Sequence, residues 1–113
     1  MVNETSFCAG DIVDFYFSPS VGHESLGRRP GLVVSSFDFN AATSMTLICP
    51  ITTHDNGFPL HLRLPELDEC HGWVALEQLR CFDLAARNAR IVAGLDPMGE
   101  FMTNVLSVVR SYF

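Results

Sequence analysis

The chain has 113 residues, 48% of them apolar, and seven basic against thirteen acidic side chains leave it at a net −6. That length holds one domain around one core, and the apolar share excludes disorder as the main state. The acidic balance alone argues against nucleic acid, yet all seven basic residues (Arg28, Arg29, Arg63, Arg80, Arg87, Arg90, Arg110) are arginines, the planar fork that suits phosphate and carboxylate. No apolar run approaches the 18 residues of a membrane helix, and Met1–Gly10 has no signal-peptide pattern, so a cytoplasmic protein with no membrane partner is expected.

Asp11–Phe17 (DIVDFYF), dense in β-branched and aromatic residues, predicts a first strand. Gly22–Pro30 (GHESLGRRP) predicts a loop, long for so small a domain, and such loops often carry function. Leu32–Phe37 and Met45–Ile51 are expected as buried strands, with a helical turn at Asp38–Ala42 between them. Phe58–Leu64 alternates its apolar residues with Pro59, His61 and Arg63, which predicts a strand with one wet face near a sheet edge. Trp73–Leu76, Gln78–Phe82 and Arg90–Ala93 add short strands, and their spacing implies a small, strongly curved barrel. Asp96 can cap a helix whose first residue is Pro97. Met98, Phe101, Met102, Val105 and Val109 then recur at three- and four-residue steps, laying one apolar face on the barrel. The expected architecture is one domain over residues 1–113, mainly β (α+β), with a C-terminal α-helix.

Cys8, Cys49, Cys70 and Cys81 lie 41, 21 and 11 residues apart, without the pairs a zinc site needs, so reduced cysteines and no metal or cofactor are expected. Three stretches remain as candidates for chemistry. In the loop, His23, Glu24, Arg28 and Arg29 crowd together, and Pro30 biases Arg29 towards an extended backbone; a solvated charged loop explains them equally. Thr52 and Thr53 end an apolar run and can either bind a phosphate or cap a turn. Glu77, Gln78 and Arg80 punctuate an apolar segment, as a site or as a surface strand edge.

Together these stretches fall into an order. GDIV (Gly10–Val13), SPSVGHESLGRRPGLVVS (Ser18–Ser35), Phe39-Asn40, CPITT (Cys49–Thr53), NGFP (Asn56–Pro59) and EQLR (Glu77–Arg80) resemble the signature blocks of the MazF/PemK family, over nearly the whole chain. The resemblance implies an SH3-like curved barrel with a C-terminal helix, CcdB/PemK-like. It implies a homodimeric toxin of a type II toxin–antitoxin system, an endoribonuclease that cuts single-stranded RNA or mRNA at short recognition sequences without a metal. A cognate MazE-like antitoxin would block the groove with an acidic tail, a carboxylate replacing a phosphate on the same guanidinium.

Carried onto this chain, the resemblance gives Arg29 charge stabilisation, Thr52 phosphate positioning and Glu77 the place where some members use Asp as a base. His23, Glu24, Arg28, Thr53, Gln78 and Arg80 are expected to contact RNA or phosphate. Attack by the RNA's own 2′-hydroxyl needs a base, an acid and a cation near phosphorus. The chain departs from the family at Asp14, Tyr16 and Ser18 in the first strand, at Ser25 in the loop, and at Ala75, where some members carry Arg. Two other functions fit the same fold: a CcdB-like toxin acting on gyrase, and a catalytically degenerate antitoxin-binding module.

Overall fold

The computed structural model describes residues 6–16, 28–54, 57 and 59–113. In chain order come β1 (Asp11–Tyr16), β2 (Arg28–Val33), α1 (Phe37–Thr43), β3 (Thr46–Thr52), β4 (His61–Arg63), β5 (Trp73–Ala75), β6 (Arg80–Phe82), β7 (Arg90–Gly94) and α2 (Glu100–Arg110). Single 3-10 turns at Leu76–Gln78 and Ala85–Arg87 precede β6 and β7. The strands run antiparallel in the order β4-β5-β3-β2-β1-β7, with β6 on β3. The mainly β fold with its C-terminal helix is therefore as expected, but the sheet is an open path. Among the described residues β4 and β7 do not pair to close it.

Strand β3 organises the molecule because it has three partners. Thr46–Ile48 pair with β6, Ile48–Pro50 with β2, and Ile51–Thr52 with β5. Pro50 has no N–H to donate, and on one edge it falls in the gap between the β6 and β5 ladders. Both faces of the central strands are buried. Ile12, Leu32, Cys49, Ile51, Val74 and Leu76 pack on one side under Met102 and Val105 of α2. Val13, Phe15, Val33, Ile48 and Phe82 pack on the other, with the Phe15 and Phe82 rings edge-on at 5.0 Å. Ile12 and Val13 point to opposite faces and are both buried, and the register of β7 against them shifts past Val92. Two-sided burial explains why these strands read as continuous apolar runs rather than alternating ones.

Several boundaries move for local reasons. Ser36 caps α1 by accepting from the Phe39 N–H at 3.2 Å, so Phe37 starts this helix instead of ending a strand. Asp96 caps a turn: its Oδ1 accepts from Met98 N at 2.9 Å and its carbonyl from Gly99 N at 3.0 Å. The helix therefore begins at Glu100, with Pro97 outside it, and Met98 is 86% exposed rather than on the apolar face. Phe113 is exposed as well, whereas Phe101, Leu106, Val108 and Val109 lean on the core. Gly72 opens β5 at φ +138°, where a Cβ would collide with the Thr52 carbonyl oxygen. That close approach brings the start of β5 against the end of β3.

Candidate active site

The three strands β4, β5 and β3 lie side by side, and their register decides which side chains share a face. Leu62, Val74 and Ile51 form a row turned into the core. The alternate positions, His61 opposite Ala75 and Arg63 opposite Trp73 opposite Thr52, therefore face outward. A groove of about 470 Å³ opens on this outer face, a volume in the range of ligand sites. Its walls include Arg29 and Pro30 of β2, Thr52 to His54 at the end of β3, His61 of β4, and Gln78.

Two strands and a 3-10 turn thus bring Arg29, Thr52, Thr53 and Gln78 together from separate parts of the sequence. Arg29 is exposed and stands in register with Phe15 of β1. The Thr52 hydroxyl accepts from the His54 N–H at 3.1 Å, so the turn-capping and site readings describe the same atom. That bond fixes the hydroxyl at the groove wall, which His54 also lines.

Glu77 stands behind the wall rather than on it. Its Oε2 accepts from His61 Nε2 at 2.9 Å and from Gln78 Nε2 at 3.4 Å. The His61 side chain is 5% exposed and the Glu77 side chain 23%, so the pair is mostly shielded from water. A carboxylate on Nε2 fixes the tautomer and leaves the lone pair on Nδ1, which is buried, as is Glu77 Oε1. The charge of Glu77 also reaches the core: burial first, and Glu77 second, push the Cys49 thiol from 9.0 up to about 12.

The remaining expected residues lie elsewhere. Arg28 bonds Asp14 Oδ2 at 2.6 Å and the Asn88 carbonyl at 3.0 Å, and stacks over Tyr16 at 4.8 Å. Arg80 is exposed on β6, 5.2 Å from the Phe82 ring centroid. Neither is among the residues lining the groove. His23 and Glu24 lie outside the described residues. Sequence reasoning did not single out His61 or His54. The available signal was the wet face of Phe58–Leu64, which put His61 and Arg63 on one side, and the histidine following the threonine pair.

A guanidinium, two hydroxyls and an amide can hold an oxyanion, and His54 in the same wall can move a proton beside it. Comparison with known proteins gives these residues a family. Residues 9–113 match the profile of the PemK-like, MazF-like toxins of type II toxin–antitoxin systems. The endoribonuclease toxin ChpB of Escherichia coli K12 is 44% identical over 96 residues, covering 80% of this chain and 81% of that protein. The endoribonuclease toxin MazF of the same strain is 35% identical over 80 residues, 71% of each chain. Crystalline MazF from Deinococcus radiodurans superposes with a TM-score of 0.75 at 32% identity, covering 96% of this chain and 93% of that one. The MazE–MazF complex from the same organism gives 0.72 at 29% identity, covering 96% and 91%. Family profile, sequence identity and overall fold agree: the chain belongs to the PemK-like, MazF-like toxin family of type II toxin–antitoxin systems.

Proposed function

We propose that this protein is the toxin of such a pair, an endoribonuclease that cleaves single-stranded RNA and is neutralised by a MazE-like antitoxin bound over the same groove. The observation that carries this reading is the convergence of Arg29, Thr52, His54 and His61 on one groove, with Glu77 bracing His61 from behind. The names of the relatives supply the reaction class, and the MazE–MazF complex supplies the kind of partner.

Solvent in the open groove takes the proton of the 2′-hydroxyl as that oxygen attacks phosphorus, because the His61 nitrogen left by the bond to Glu77, Nδ1, is itself buried. The bond to the 5′-oxygen breaks, leaving a 2′,3′-cyclic phosphate, and His54 donates a proton to the departing oxygen. Arg29 meets the charge that grows on the phosphoryl oxygens, and the Thr52 hydroxyl positions one of them. This assignment gives Glu77 the role of bracing His61 in the groove wall rather than that of a base. We place the toxin in the cytoplasm, as one domain over residues 1–113 and as a homodimer whose two grooves adjoin. No helix among the described residues is long and apolar enough to cross a membrane.

The test is cleavage of a mixed RNA pool in the presence of a chelator, with the fragment ends sequenced. Discrete cuts are expected, and Arg29→Ala should remove them, at least 100-fold in rate, while the circular dichroism spectrum is unchanged. Intact RNA with inhibited gyrase would make the protein a CcdB-like toxin instead. Intact RNA, active gyrase and tight antitoxin binding would make it a degenerate binding module. Cuts that survive Arg29→Ala would take that residue out of the mechanism.

A further inference from the structure

Next to the groove, and sharing Thr53 with it, lies a smaller pocket of about 160 Å³ walled by Arg63, Pro65, Glu66, His71 and Trp73. Register puts it on the same outer face. Thr52, Trp73 and Arg63 are directly opposite one another on β3, β5 and β4, so the row that begins at the phosphate-positioning threonine ends at this pocket. Trp73 is partly exposed here, and the Arg63 guanidinium lies 5.9 Å from the centre of its ring. Among the described residues Arg63 has no carboxylate partner, unlike Arg28 and Arg90, which share Asp14.

We propose that this pocket is a nucleobase subsite, in which an unpaired purine next to the scissile phosphate stacks on Trp73. The inference rests on the endoribonuclease reading above and extends it to a specificity-determining position. Size argues for a base: the pocket is well below the 300 Å³ or so at which small-molecule sites begin, yet it has a flat aromatic wall. Charge argues for a base edge rather than a phosphate or an acidic peptide. The stretch Pro65–Cys70 carries Glu66, Asp68 and Glu69, which repel both, whereas Glu66 can accept from amino groups on a base. Arg63 supplies the complementary donors for the N7 side of a purine. A purine also gives the larger stacking surface, and stacking on an aromatic ring needs no particular sequence elsewhere in the RNA.

Trp73 is the sole tryptophan of the chain, so its fluorescence reports the subsite directly. The full-length protein is titrated with a short RNA containing its own cleavage site, with a 2′-deoxy nucleotide at the cut to prevent reaction. Quenching is expected, and it should weaken when the purine flanking the cut is replaced by an abasic residue. Trp73→Ala should raise KM roughly 5- to 150-fold for the preferred site, the span corresponding to one stacked base. It should also flatten the sequence preference at one position in the cleavage map. Trp73→Phe, which keeps a ring, should restore most of both, and this controls for a folding defect in the alanine variant. If RNA is bound and cut but Trp73 is not quenched and the cleavage map of Trp73→Ala is unchanged, the subsite is overturned and the nuclease reading stands. If an acidic antitoxin peptide quenches Trp73 while RNA does not, the pocket is a protein-docking site and the proposal is wrong. RNA that is neither bound nor cut overturns both readings.

Discussion

Cys49 sits in β3 with no exposed surface, and Glu77 faces it from the 3-10 turn. Burial and that negative charge both oppose its thiolate, pushing the thiol from 9.0 up to about 12. Burial raises the Cys70 thiol too, while Cys8 and Cys81 are exposed. Alkylation at pH 8 should therefore label Cys8 and Cys81 quickly and leave Cys49 unmodified until the protein is unfolded. The sign for stability follows. The folded state holds the Cys49 proton more tightly than the unfolded chain, so its contribution is complete below pH 9 and is lost as pH rises from there towards 12. Replacing Cys49 with serine or alanine should remove that alkaline slope in denaturant titrations; an unchanged slope would assign it to other groups. At this scale the sequence was partly readable. Arg29 and Thr52 stood out because proline and a strand end made them local landmarks. His61 did not, because its importance comes from Glu77, sixteen residues away, which only the pairing of β4 with β5 and the turn after β5 brings within 2.9 Å.

Helix α1 shows how one buried polar residue can hold an element in place. Asn40 is 2% exposed; its Nδ2 donates to the Phe7 carbonyl at 2.7 Å, and its Oδ1 accepts from Ser35 Oγ. Ser35 Oγ in turn accepts from Leu47 N at 2.9 Å, so the knot joins the chain before β1, the end of β2, α1 and β3. Asn40→Ala leaves the Phe7 carbonyl and the Ser35 hydroxyl each short of a partner in a buried place. A loss of about 1–3 kcal/mol is expected from denaturant midpoints, with cleavage per folded molecule unchanged because the knot lies away from the groove. A change below about 0.5 kcal/mol would mean that water replaces the amide there. Phe39-Asn40 entered the sequence reading only as a family block, and its physical reason needed the fold. Element boundaries behaved the same way. The existence of every strand was legible from apolar runs, but their ends depend on caps such as Ser36 and Asp96, which either a helix or a turn can use. The open edge between β4 and β7 left no trace in strand spacing, because spacing counts strands without saying which of them pair.

Across the whole molecule, the net −6 looks ill suited to RNA until the arginines are sorted by position. Arg28 and Arg90 are tied to Asp14, Arg87 donates to the Tyr16 carbonyl, and Arg110 ends α2. Those four stabilise the fold and the helix terminus, where a cation is favourable. Arg29 and Arg63 stand at the outer face of β2 and β4, beside the groove and the smaller pocket. A protein of this kind should hold RNA by a few placed contacts against a repulsive background, and random RNA should bind weakly. The salt dependence measures this. The phosphate contact of Arg29 on single-stranded RNA gives a slope of about −0.7 for log K against log salt, and about −1.4 if a second subunit contributes its own. Binding of an uncleavable RNA, followed by anisotropy between about 50 and 200 mM salt, should fall in that shallow range, and Arg29→Ala should reduce the slope by roughly 0.7. A slope of about −5 or steeper would show that the outlying arginines also neutralise phosphates, and that the RNA path extends well beyond this face. A shallow slope would also account for antitoxin control at cellular salt. An acidic segment that meets the Arg29 guanidinium then competes with RNA on nearly equal electrostatic terms, and the contest is decided by the neutral contacts each partner adds around it.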